Sequence, residues 1–205
     1  MYKEERLNSV SHLVGAGSAL AGLAILVVLA SRQGDPWKIV AFSIYGLTLF
    51  LLYVFSTLYH SLQGKPKAVF RKLDQNAVYL LIAGTYTPFM LVALRGAWGW
   101  SIFGVIWGLA AIGITLNWIP ARIPSILHVI IYLLMGWLAL IAIKPLFQAL
   151  TLSGFLLLLL GGIFYTVGVV FYALDERVRY FHAIWHCCVL AGSLSHYLTV
   201  LFYVV

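Results

Sequence analysis

An all-α integral membrane protein, a bundle of seven transmembrane helices, is the fold this sequence predicts. Three observations carry that expectation. Of 205 residues, 63% are hydrophobic and only 9% are charged, whereas a soluble domain carries about a quarter charged residues. The mean hydropathy is +0.99. Seven apolar runs, each close to the roughly 20 residues that cross a bilayer, use nearly the whole chain. No stretch is left for a separate soluble domain, so residues 1–205 are read as one membrane domain.

The first run covers about residues 10–30, and its Gly15, Gly17 and Gly22 suit close helix packing. The opening Met1-Tyr2-Lys3-Glu4-Glu5-Arg6 lacks a signal peptide's small-residue cleavage pattern, so this run is expected to stay as a span. Gly34, Asp35 and Pro36 make the first turn. Span two covers about 39–62. The polar stretch Gln63-Gly64-Lys65-Pro66-Lys67, with Arg71-Lys72, reads as a loop before span three at about 73–94, in which Pro88 should produce a kink. Span four, about 100–118, carries Gly104 and Gly108 as a GxxxG pair, a weak signal for a helix contact. A turn at 117–124 leads to span five, about 125–143, which Lys144-Pro145 should end. Span six covers about 147–173. The charged loop Asp175-Glu176-Arg177-Val178-Arg179 precedes span seven, about 180–205. Seven spans do not make a complete inverted-repeat transporter.

The net charge of +7 has no soluble basic face to sit on, which argues against nucleic-acid binding. It reports orientation instead. The N-terminus and the even-numbered loops carry nine of the Lys and Arg residues and the odd-numbered loops four. The positive-inside rule then places the N-terminus in the cytoplasm and the C-terminus outside. Cys187 and Cys188 are adjacent within a span and imply no disulfide framework.

The chemistry concentrates in Phe181-His182-Ala183-Ile184-Trp185-His186. Histidines four apart share one helix face, about 40° apart and one turn in height. Ionisable groups in an apolar span are costly and usually functional, and two imidazoles at this spacing can hold one metal ion, Zn²⁺ being the commonest. The predicted topology brings His60, Asp74, His182 and His186 to the same leaflet, although over 120 residues separate them in sequence. Ala183 stands where a zincin's glutamate base would be, so a zincin protease is excluded. Deeper in the span, His196 reads as a buried polar contact. His12 and Asn8 read as braces at the helix ends.

The motifs Ser56-Thr57-Leu58-Tyr59-His60, Lys72-Leu73-Asp74, His182-x-x-x-His186 and Glu5-x-x-Asn8, in this order, resemble bacterial hemolysin III-type proteins of the progestin and adipoQ receptor family. That family lies in a wider superfamily of membrane hydrolases that includes alkaline ceramidases. The resemblance covers essentially the whole chain. It implies a Zn²⁺ ion held by His60, His182 and His186, with Asp74 reaching the metal through a water and Ser56 as the serine of the same signature. Three histidines leave one position open on a tetrahedral ion, the pattern of catalytic rather than structural zinc. A carboxylate such as Asp74 can orient a water there and take its proton, and Ser56 can stabilise an oxyanion. The expected activity is hydrolysis of an amide or ester bond in a membrane lipid, in the bacterial inner membrane, with an effect on lipid homeostasis. The alternatives are a receptor-like sensor of membrane state with structural zinc, or a cytolytic protein.

Overall fold

The computed structural model describes residues 5–119 and 124–205; Lys3 and Arg122, and the centre of the expected turn at 117–124, lie outside the described residues. The described residues are helical and contain no strand. The helices are α1 (Glu5–Gln33), α2 (Pro36–Ser61), α3 (Gly64–Pro88), α4 (Ala97–Trp118), α5 (Ser125–Trp137), α6 (Ile143–Ala149), α7 (Leu152–Ala173) and α8 (Phe181–Tyr203). A 3₁₀ segment, Leu138–Ala142, joins α5 to α6, and together they form one span. Among the described residues, seven segments are thus long and apolar enough to cross a membrane.

Neighbouring helices pack in chain order, and α1 closes the ring against α8. This closure brings the N-terminal end of α1 beside the C-terminal end of α2 and the N-terminal end of α8. The helices bury small, aromatic and some aliphatic residues inward, among them Ala41, Tyr45, Tyr79, Phe42 and Ile106. They turn large aliphatic side chains outward, with Leu134 and Phe202 each 68% exposed. That inversion of the soluble pattern is what a lipid solvent permits, since lipid tails are as apolar as leucine.

Span one behaves partly as its glycines suggest. A Cβ on Gly15 would lie 2.8 Å from the Tyr53 ring and one on Gly22 would lie 2.8 Å from the Tyr197 ring, while Gly17 faces open space. Gly104 and Gly108 also face open space, so the GxxxG pair of span four meets no neighbouring helix among the described residues.

Three boundaries differ from the expected ones. Helix α1 is already helical at Glu5, the first described residue and about five residues before the expected start, so Asn8 and His12 are helical and buried. The basic stretch before span three is not a loop but the first turns of α3, which starts at Gly64. Lys and Arg are good helix formers. Pro66 is the helix's third residue, where its missing N–H would have had no intrahelical partner. Gly64 supplies the left-handed φ of +63° that turns the chain into the helix. Asp74 therefore sits ten residues into α3. Lys144-Pro145 does not end span five, because both lie in the first turn of α6, where proline is tolerated. The span ends instead at Leu150-Thr151, where the Thr151 hydroxyl caps α7 by accepting from the Gly154 amide at 3.4 Å. Pro88 acts as expected: α3 gives way after it to a π-helical turn, Phe89–Ala93, a common form of kink.

Candidate metal centre

The C-terminal turn of α2 carries His60, and the first two turns of α8 carry His182 and His186. Helix α8 starts at Phe181 after a left-handed Tyr180 at φ 68°, so both of its histidines face inward one turn apart. His60 and His186 are buried, 3% and 2% exposed, and His182 is half-buried. One ring nitrogen from each lies within 4.8 Å of the others.

The other ring nitrogens fix the chemistry. His60 Nδ1 is 2.6 Å from Glu5 Oε2. His182 Nδ1 is 2.6 Å from Asp175 Oδ2. His186 Nδ1 is 3.1 Å from the Asn8 carbonyl oxygen. A carboxylate or carbonyl oxygen can only accept, so all three Nδ1 atoms carry the proton and donate. That leaves three Nε2 lone pairs. The Nε2 atoms of His60 and His182 face each other at 3.3 Å, the separation of about 3.3–3.4 Å that two nitrogens have at tetrahedral Zn–N distances. Lone pairs converging at this distance repel unless a cation lies between them. Nδ1 bonded to carboxylate or carbonyl with Nε2 directed at a common point is the usual arrangement of metal-binding histidines. The residues present therefore fit a divalent ion held by His60, His182 and His186.

The supports extend further. Glu5 Oε1 accepts from Lys67 Nζ at 2.7 Å, so one carboxylate ties α1 to both α2 and α3. The His12 ring stacks on His186 at 3.7 Å with an interplanar angle of 13° and meets the Tyr53 ring edge-on at 5.0 Å. His12 thus packs against the cluster from α1. The Ser9 and Ser61 hydroxyls bond at 2.6 Å, which pins α1 to the end of α2.

Asp74 lies outside the histidine cluster. It makes no ion pair with Arg71 or Lys72, and its carboxylate interacts with the hydroxyl of Ser56, one turn before His60 on α2. His196 donates or accepts only locally: Nε2 is 3.0 Å from the Leu158 carbonyl, and its ring lies 5.5 Å from that of Tyr165. His128 pairs with the Tyr79 hydroxyl at 2.7 Å. Cys187 is exposed and Cys188 half-buried, and neither approaches the cluster. Sequence reasoning missed the roles of Glu5 and Asp175. The available signals were the Glu5-x-x-Asn8 motif and a carboxylate seven residues before His182.

Comparison with known proteins places the chain in a family. A family described as haemolysin-III related matches residues 1–197. The chain is 48% identical to "Hemolysin-3" of Bacillus cereus over 203 residues, covering 98% of this chain and 92% of that protein. It is 43% identical to the "Hemolysin-3 homolog" of Bacillus subtilis (strain 168), covering 99% of this chain and 95% of that one. At greater distance it is 27% identical to the human "Monocyte to macrophage differentiation factor", over 96% of this chain and 83% of the human protein. Seven membrane-length helices and these bacterial relatives make it a multi-pass bacterial membrane protein, and the chain belongs to the haemolysin-III-related family.

Proposed function

We propose that this protein is a zinc-dependent hydrolase of membrane lipid, cleaving an amide or ester bond at the histidine end of the bundle and so adjusting membrane lipid composition. The observation that supports it most is the set of three histidines whose Nδ1 atoms are all committed to oxygen acceptors, leaving three Nε2 lone pairs converging. His60, His182 and His186 hold the ion. When bound, Zn²⁺ supplies Lewis acidity and lowers the pKa of water toward about 7.

The chain's own residues supply the rest. Glu5, Asp175 and the Asn8 carbonyl hold the imidazole planes and raise their basicity. Asp74, steadied by Ser56, orients the attacking water and takes its proton as general base. Once Asp74 has taken the proton it no longer needs the Ser56 hydrogen, and Ser56 redirects its single O–H toward the developing oxyanion. His182 is the most exposed of the three imidazoles, its side chain 27% exposed, which makes the start of α8 the side from which a lipid carbonyl approaches.

The test is zinc-loaded protein in detergent or bilayer discs, assayed for fatty-acid release from a panel of lipid amides and esters, wild type beside Asp74→Asn. The expected result is release by wild type and retained zinc without release in the variant. Absence of release by wild type across the panel would overturn the hydrolase reading.

A further inference from the structure

We propose that the histidine end of the bundle carries a second, separate site that binds the headgroup of an anionic phospholipid, in a cavity between the first turns of α3, the end of α4 and the start of α5. The cavity has a volume of about 580 Å³. Among the described residues, three cations line it, Lys67, Arg71 and Lys72, and no carboxylate does. Glu5, which bonds the lining Lys67, has its oxygens taken by His60 and Lys67, and Asp74 is engaged by Ser56.

Positive-inside loops explain basic residues at a helix end, but those project into water. Here Gly64, Ala68, Arg71, Lys72 and Gln75 recur at helical spacing along one face of α3, and all line the cavity. The stretch that reads as a loop in sequence is a helix, and that is what aligns its cations. Arg71 forms no hydrogen bond or ion pair with any described residue, so its five donors are free for an oxyanion. The α3 N-terminus at Gly64 has no side-chain cap, which adds its own positive end to the same face.

Two features select a lipid over a dissolved anion. The cavity opens at the ends of membrane-length helices, the level of the headgroups. Beside it stands an indole: the lining Lys72 ammonium lies 5.0 Å over the Trp118 ring, and Trp118 is 50% exposed. An ammonium or guanidinium group beside an exposed indole at a helix end matches a phosphate with acyl chains below it. Lys67 belongs to both sites, since it lines the cavity and holds the Glu5 carboxylate that fixes His60.

This site stands on its own geometry and does not depend on hydrolysis at the metal centre. The experiment therefore reads binding, not turnover. Purified protein is titrated with phosphatidylglycerol or phosphatidylethanolamine and bound lipid is counted by native mass spectrometry. The variants are Arg71→Gln with Lys72→Gln, a charge-matched control of Arg32→Gln with Lys38→Gln at the opposite end, and the charge-keeping pair Arg71→Lys with Lys72→Arg. Lys67 is left intact because of its tie to Glu5. Expected is preferential phosphatidylglycerol binding, weakened at least about ten-fold in the Arg71/Lys72 glutamine pair, unchanged in the control and kept in the charge-keeping pair. Equal loss in both glutamine pairs would reduce the effect to net charge and overturn the proposal, as would an unchanged glutamine pair. Inorganic phosphate competing as strongly as the lipid at equal concentration would overturn the lipid assignment. If the glutamine pair fails to fold, the single variant Arg71→Gln carries the same test.

Discussion

His186 and His196 lie on the same helix, ten residues apart, and each has one ring nitrogen against a backbone carbonyl, Asn8 at 3.1 Å and Leu158 at 3.0 Å. By residue type, helix and first hydrogen bond they are alike. They differ in what the second nitrogen faces. That of His186 meets the ring nitrogens of His60 and His182 within 4.8 Å. That of His196, Nδ1, is buried without a hydrogen-bond partner among the described residues. The comparison teaches that a place inside a span and a ring nitrogen bonded to a carbonyl do not make a ligand. Convergence does, and here it comes from three helix ends that the closure of α1 on α8 brings together.

The sharpest way to break this comparison is to remove each histidine in turn. Alanine at His60, His182 or His186 should abolish stoichiometric zinc binding, whereas His196→Ala should keep one ion per chain and lower only thermal stability. Metal content and an unfolding scan of the same preparations distinguish them. Asp74→Asn is expected to spare the metal and slow lipid hydrolysis by about 10²–10⁴-fold, the range of a general base; a variant as active as wild type would remove Asp74 from the mechanism. Glu5→Gln and Asp175→Asn act through the imidazoles, and each should weaken zinc affinity by about 10–100-fold, measured by competition with a chromophoric chelator. Glu5→Gln should be the worse of the two, because Glu5 also anchors Lys67. The smallest effect concerns packing. Gly15→Ala forces a Cβ to 2.8 Å from the Tyr53 ring and should destabilise by about 1–3 kcal/mol. Gly104→Ala, facing open space, should be neutral or stabilise by up to about 1 kcal/mol.

Much of this arrangement is legible in the sequence, and the reason is the solvent. A bilayer forces every span to be a long apolar helix, so the seven spans stand out and polar residues inside them are conspicuous. His60, His182 and His186 can be placed at one end by counting spans alone. What is not legible lies where that constraint relaxes. The basic stretch before span three resembles a loop because helix-forming Lys and Arg are interspersed with Gly64 and Pro66, and only the backbone shows that both residues fit a helix start. Glu5 and Asp175 sit at span edges, where carboxylates are ordinary, and their roles depend on tertiary closure. The GxxxG pair at Gly104 and Gly108 has the spacing of a helix contact and faces outward, because spacing alone carries no information about which face a neighbour occupies.

The central claim is that three converging imidazoles hold one metal ion. The most direct measurement is zinc per chain by inductively coupled plasma mass spectrometry on detergent-purified protein, comparing wild type, His186→Ala and His196→Ala. The account predicts about one ion in wild type and in His196→Ala and none in His186→Ala. Wild-type protein that takes up no zinc even when supplied with it, or a His186→Ala variant that keeps its ion, would contradict it.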